Sequence, residues 1–250
     1  MDCEKLVSLA LTIGERLLCS GAEVSRVEDS ISRICKAYGA EHVDVFTITS
    51  SIVLTVCIDN KIITQTRRIK RHKTDFELFD KLNNLSREIC DNKPDAAYIS
   101  EQLKILEKNN KNNFIKYVAW FIVAGSFTMF FGGTLNDALF SSIIAIIARF
   151  IFAIIESVNL NRVFTNIVLS FTVSSLAYNI ALTGLNCNSD KIIIGNIMLL
   201  IPGIALTNAI RDLIVGDTMT GLLNISEALL TAIAIAGGYF LTTLIFGGAI

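Results

Sequence analysis

Apolar positions in the first 110 residues recur at fixed spacings rather than in runs. Leu6, Leu9, Ile13 and Leu17 stand three and four apart, which predicts an amphipathic helix over about 4–19 that stops at Gly21. Val24, Val27, Ile31 and Ile34 repeat the spacing and predict a second helix from about Ala22 to Tyr38, with Gly39 suited to its C-terminal cap. The period then changes to two, through Val43, Val45 and Thr47, then Ile52, Leu54 and Val56, then Ile62 to Thr66. β-Branched enrichment and the Asp59-Asn60 pair predict antiparallel strands and a hairpin. Helical spacing returns at about 75–91 and 95–109, divided by Pro94. Residues 1–112 are therefore expected to form a small α+β domain, closing in the polar linker KNNKNN at 108–113.

Beyond the linker the apolar positions become continuous. Five segments, at about 114–132, 136–158, 163–185, 191–214 and 220–247, each approach the roughly 20 residues that cross a bilayer. Residues 113–250 are expected to be an α-helical integral membrane domain of about five transmembrane helices. The charge distribution agrees. Of 22 Lys and Arg, only Arg149, Arg162, Lys191 and Arg211 lie beyond residue 116. Of 23 Asp and Glu, only Asp137, Glu156, Asp190, Asp212, Asp217 and Glu227 do. Lys104, Lys108, Lys111 and Lys116 precede the first span, and Arg162 and Arg211 fall at alternate loops. The positive-inside bias then places the N-terminal domain in the cytoplasm of a multi-pass protein of the cell membrane. A net charge of −1, without a basic stripe carrying interleaved aromatics, gives no case for nucleic acid.

The six cysteines form no CxxC pair and read as small core residues of a reducing compartment. His42 and His72 supply no clustered ligand set, so no metal is expected. No phosphate-binding glycine loop is present, and no cofactor is expected. The apolar run after Lys5 is broken by Gly14, Glu15 and Arg16, unlike a secretory signal.

Candidate chemistry concentrates in IPGIALTNAIRDLIVGDTMTG, residues 201–221. Pro202 and Gly203 break an apolar run that exits through Thr207, Asn208, Arg211, Asp212 and Asp217. A broken helix survives in lipid only where protein or a water-filled cavity satisfies the freed backbone, and such breaks often hold a transported ligand. Pro202, Gly203, Thr207, Asn208, Arg211 and Asp212 are thus substrate-binding candidates, with Thr207 and Arg211, and Asn208 and Asp212, sharing neighbouring faces. Arg149, within IIAIIARFIFAII, lies about 15 Å into its span at 1.5 Å per residue and suits a carboxylate. Its alternatives are snorkelling to the headgroups or pairing with Glu156. Glu227, Glu156 and Asp217 are the proton-coupling candidates. Asn166, Asn179 and Asn196 suit hydrogen bonds between helices, Gly216 and Gly221 a tight return, and Gly237-Gly238 and Gly247-Gly248 close packing. In the first domain Glu23, Arg26, Glu28 and Asp29 crowd the start of the second helix. Thr47, Thr49, Ser50 and Ser51 mark a strand end, with His42 as weak support for a nucleophilic serine.

The 201–221 stretch resembles the PG–LTNA–RD–G–G signature of the threonine/serine exporter family. GAEVSRVEDSISRI, residues 21–34, resembles that family's N-terminal signature, and the two occur in the family's order. The resemblance implies an integral membrane exporter of threonine and serine driven by the proton motive force, with some two-component relatives similar to dicarboxylate (succinate) exporters. Longer members carry further spans in one chain. With five spans this chain looks like the larger subunit of the split form, working with a short membrane partner, as a homo-oligomer, or both. The resemblance also raises a docking or regulatory role for Gly21, Glu23, Arg26, Glu28 and Asp29. A transporter is expected rather than an enzyme. The alternatives are a membrane-anchored enzyme using Glu23–Asp29 or Ser50/Ser51, and a regulatory subunit whose partner transports.

Overall fold

The computed structural model describes residues 2–69, 74–107, 113–158, 160–183 and 185–246. His72, Lys108, Lys111, most of the KNNKNN linker and Gly247-Gly248 lie outside the described residues. Two compact units emerge: Met1–Asn110 with Thr207–Asn224, and Lys111–Leu206 with Ile225–Ile250.

In the first unit, helices α1 (Cys3–Cys19) and α2 (Val24–Ala37) form where the three-and-four spacing predicts them. After α1 the Gly21 N–H bonds to Leu18 O and the Ala22 N–H to Leu17 O, a closure that needs a left-handed residue. Gly21 supplies it at φ +101°. Strands β1 (His42–Ile48), β2 (Ser51–Ile58) and β3 (Lys61–Arg68) make an antiparallel sheet in the order β1-β2-β3. Asp59 and Asn60 both take positive φ, the tight turn whose twist matches that of the strands. Asp75 caps helix α3 (Phe76–Asn92) by accepting from the Leu78 N–H, and Lys93 leaves it in the left-handed region just before Pro94. Helix α4 (Ala96–Glu107) follows.

Alternation along β2 turns Ile52, Leu54, Val56 and Ile58 inward to one core with the apolar faces of α1, α2, α3 and α4. Burying a side chain of this size is worth about 1.5–3 kcal/mol, more than any single hydrogen bond on the unit's surface.

The second unit contains helices α5 (Asn113–Phe130), α6 (Leu135–Val158), α7 (Arg162–Leu182) and α8 (Ser189–Ile197). Helices α9 (Gly203–Val215) and α10 (Thr218–Phe246) each pass from one unit's residues to the other's. Among the described residues four helices, α5, α6, α7 and α10, are long and apolar enough to cross a membrane. The apolar segment at 191–214, read from sequence as one span, is instead α8 and α9 separated by residues 198–202. The cause is local: Pro202 cannot donate to the turn before it, and the Leu206 N–H restarts the ladder on the Pro202 carbonyl. From Thr207 onward this segment clusters with the first unit.

Thr134 and Asp137 close a reciprocal cap at the start of α6, Asp137 Oδ2 accepting from the Thr134 N–H and Thr134 Oγ1 accepting from the Asp137 N–H. Asp137 Oδ1 also accepts from the Asn188 N–H at 2.7 Å, joining the starts of α6 and α8. Between α5, α6 and α8, Thr128 donates to Ser141 Oγ, and the Asn196 amide donates to the Ser141 hydroxyl and carbonyl. Hydrogen bonds between helices replace, in lipid, a hydrophobic drive that the solvent no longer supplies.

Candidate substrate and coupling sites

In the first unit the two sequence signatures meet. Glu23 is the N-cap of α2, yet its side chain makes no capping bond. Its Oε1 instead accepts from Arg211 Nη1 on α9. Asp212, the next residue, is 5 % exposed and accepts from Asn224 Nδ2 at 3.4 Å. The end of α9 repeats the closure of α1: the Gly216 N–H and the Asp217 N–H both reach the Asp212 carbonyl, and Gly216 takes φ +104°. That turn brings Asp217 within electrostatic reach of Glu28. Glu28 Oε1 accepts from the Thr47 N–H at 2.7 Å, fastening α2 to β1. Burial pushes the Glu28 carboxyl above its ordinary range; the Thr47 N–H opposes this and the Asp217 charge adds to it. Arg26 stands over the Phe79 ring, and Asp29 is clasped by Arg33. Thr207 is exposed and Asn208 half-buried on α9.

The Ser50/Ser51 and His42 pairing does not assemble. Register places Ser51 opposite Ile48 and His42 opposite Cys57, at the two ends of the β1–β2 ladder. At about 3.3 Å per residue, six pairs separate them by roughly 20 Å. His42 is engaged by Asp44, with Nε2 and Oδ2 3.0 Å apart.

The second unit holds Arg149. It is 5 % exposed on α6, and its Nη1 is buried without a hydrogen-bond partner. Its guanidinium carbon lies 5.3 Å from the Phe152 ring centroid, 5.6 Å from Tyr117 and 6.0 Å from Trp120. Tyr117 and Trp120 come from α5 and Phe152 from α6. Arg149 is buried, whereas Glu156, seven residues on, is exposed. Each ring contributes about 0.5–2 kcal/mol to holding a cation, whereas an ion stripped of water costs several kcal/mol. The rings place the guanidinium and leave part of its cost uncompensated. Sequence reading picked out Arg149 but missed the cage, because Tyr117 and Trp120 sit about 30 residues earlier in an ordinary aromatic-rich span.

Glu227 on α10 accepts from Arg162 Nη1 on α7 at 3.2 Å, both side chains being more than half exposed on the chain's own surface. Pro202 and Gly203 lie in the second unit, and Thr207, Asn208, Arg211, Asp212 and Asp217 in the first.

Apolar helices of spanning length, a broken apolar segment and a caged buried cation define an α-helical multi-pass membrane protein that also carries a folded α+β unit. The chain belongs to the family described as "Putative threonine/serine exporter", whose model matches residues 8–246. It is similar to a Threonine/serine exporter of Corynebacterium glutamicum, 25 % identical over 242 residues that cover 93 % of this chain and 50 % of that protein. The chain thus spans about half the length of the curated relative it matches. No solved structure matches it.

Proposed function

We propose that this chain is a transport subunit that exports a small hydroxy amino acid, threonine or serine, with Arg149 receiving the substrate carboxylate. The observation that carries this reading is the buried, unpartnered Nη1 of Arg149 inside its aromatic cage. A buried guanidinium nitrogen without a partner is relieved by a carboxylate, which a guanidinium binds through two parallel hydrogen bonds. Arg149 is the one buried cation among the described residues of its unit. One fork suits one carboxylate, which favours a hydroxy amino acid over a dicarboxylate. The Pro202-Gly203 break, in the same unit as Arg149, supports this reading as a non-helical stretch of the kind that holds transported ligands.

Export is coupled to the proton gradient through Glu227, with Glu156 and Asp217 as further carriers. Protonating Glu227 removes its attraction to Arg162 and so ties proton uptake to a contact between α7 and α10. The first unit is cytoplasmic. A short membrane partner, or a second copy, supplies the counterpart of the relative's other half.

The test is efflux from cells expressing this chain with and without its short partner. Cells are preloaded with labelled threonine, serine or succinate, and the proton gradient is intact or collapsed. Gradient-dependent efflux of threonine or serine, lost in Arg149→Met, is expected. Succinate efflux alone would replace the substrate assignment. No efflux of any of the three from membranes that contain both chains would overturn the function.

A further inference from the structure

Between α2 and α3 of the first unit lies a cleft of about 540 Å³. This lies within the roughly 300–1,000 Å³ typical of small-molecule sites. Its walls are charged, and the charges are unevenly committed. Arg33 is spent: Nε and Nη2 each lie 2.9 Å from a carboxylate oxygen of Asp29. Arg87 and Asp91, one turn apart on α3, make no side-chain ion pair or hydrogen bond among the described residues. Arginine four residues before aspartate is the weaker order for a helical pair, in keeping with their standing apart.

Two of the charges on its walls oppose their local field. Arg26 lies in the first turn of α2, the positive end of the helix dipole, and Asp91 in the last turn of α3, the negative end. Each such placement costs about 0.3–1 kcal/mol. Arg26 recovers part of its cost over the Phe79 ring, whereas Asp91 makes no compensating ion pair among the described residues, and a local rule broken without a structural gain marks a functional position. The hydroxyls of Ser30 and Ser86 donate to the Arg26 and Asn83 carbonyls, which leaves their oxygens able to accept from a ligand. Burial pushes the Cys90 thiol up, so it lines the cleft as a neutral group rather than a nucleophile.

We propose that this cleft binds a small zwitterionic amino acid, Arg87 taking its carboxylate and Asp91 its ammonium. A phosphate or a dicarboxylate would set a like charge against Asp91. The ligand class stands on the cleft alone. That its occupancy reports cytoplasmic substrate and adjusts export rests on the exporter reading above.

The experiment is labelled-threonine binding to the full chain in nanodiscs, carrying Arg149→Met so that the membrane site is silent. Binding is expected to persist there, to weaken at least about tenfold (~1.4 kcal/mol) on adding Arg87→Ala or Asp91→Asn, and to recover in part with Arg87→Lys. 3-Hydroxybutyrate, threoninol and inorganic phosphate should not compete. Should Arg149→Met fail to insert, threonine protection of residues 83–91 from hydrogen exchange in the unmodified chain reads the same site. Threonine binding unchanged by both cleft variants, absent binding, or phosphate competing as well as threonine would overturn the proposal. Absent efflux with intact cleft binding would overturn only the exporter reading.

Discussion

Arg211 donates to Glu23 across 188 positions of sequence, and through this contact the two most distinctive stretches of the chain become one surface. Glu23 can make it because, although it occupies the N-cap of α2, its side chain does no capping. The Arg211 side chain is 61 % exposed and that of Glu23 15 %. Solvent therefore screens the pair, and its share of stability is expected to be about 0.2–1 kcal/mol. Its effect on transport should be larger. Glu23→Ala or Arg211→Ala should lower efflux about tenfold (~1.4 kcal/mol) with little change in thermal unfolding. The exchanged pair Glu23→Arg with Arg211→Glu should recover most of it. Single variants that export normally would show the contact to be incidental.

At Arg149 the proposed substrate role and the residue's share of stability are expected to separate. Replacing a buried charge by an apolar group of similar volume is often neutral, or stabilising by about 1–4 kcal/mol. Arg149→Met should therefore keep or raise the unfolding temperature in detergent while efflux falls about a hundredfold (~2.7 kcal/mol). Arg149→Lys, which keeps the charge but loses the planar fork, should fall between. Loss of folding in Arg149→Met would make the residue a structural one.

Glu28 predicts a pH dependence of known sign. Its carboxyl is raised in the folded state, so between its ordinary and its raised value the native protein binds more protons than the unfolded chain. Stability must fall as pH rises through that window and level off above it. Removing the negative charge with Glu28→Gln should abolish this part of the slope, and Asp217→Asn should shrink it. Unfolding of the full chain followed from pH 4 upward measures both; a slope that Glu28→Gln leaves intact would assign it to other groups.

Adjacent glycines of α10 offer an internal control. A Cβ on Gly238 would fall on the Ile167 carbonyl of α7, a backbone atom that cannot step aside, whereas none of the surroundings of Gly237 comes within 4 Å. Gly238→Ala should cost about 1–3 kcal/mol through overpacking. Gly237→Ala should be neutral or gain up to about 1 kcal/mol from helix propensity. Equal effects would mean that α7 and α10 do not approach closely here.

Much of this was legible along the chain. The amphipathic spacing of Leu6 to Leu17 and of Val24 to Ile34, the alternation of Ile52 to Val56 and the Asp59-Asn60 turn all appear as elements where their periods put them. The 191–214 segment was legible as apolar and as broken at Pro202-Gly203, but not as two separate short helices. Composition measures how apolar a segment is; whether the ladder resumes across a break depends on what surrounds it.

Sequence by itself determined the periodic elements, the split in charge between the two parts, the break at Pro202 and the place of Arg149 within an apolar stretch of spanning length. These are consequences of backbone geometry and of the cost of charge in lipid, both local to a stretch of chain. Only the tertiary structure decided that Glu23 finds Arg211, that Asp217 bears on Glu28, that Arg149 is caged by Tyr117, Trp120 and Phe152, and that His42 and Ser51 stay apart. Such pairings join residues whose separation along the chain carries no information about distance. They are set when apolar faces and strand register settle the core, and the polar groups take the neighbours that this packing leaves them.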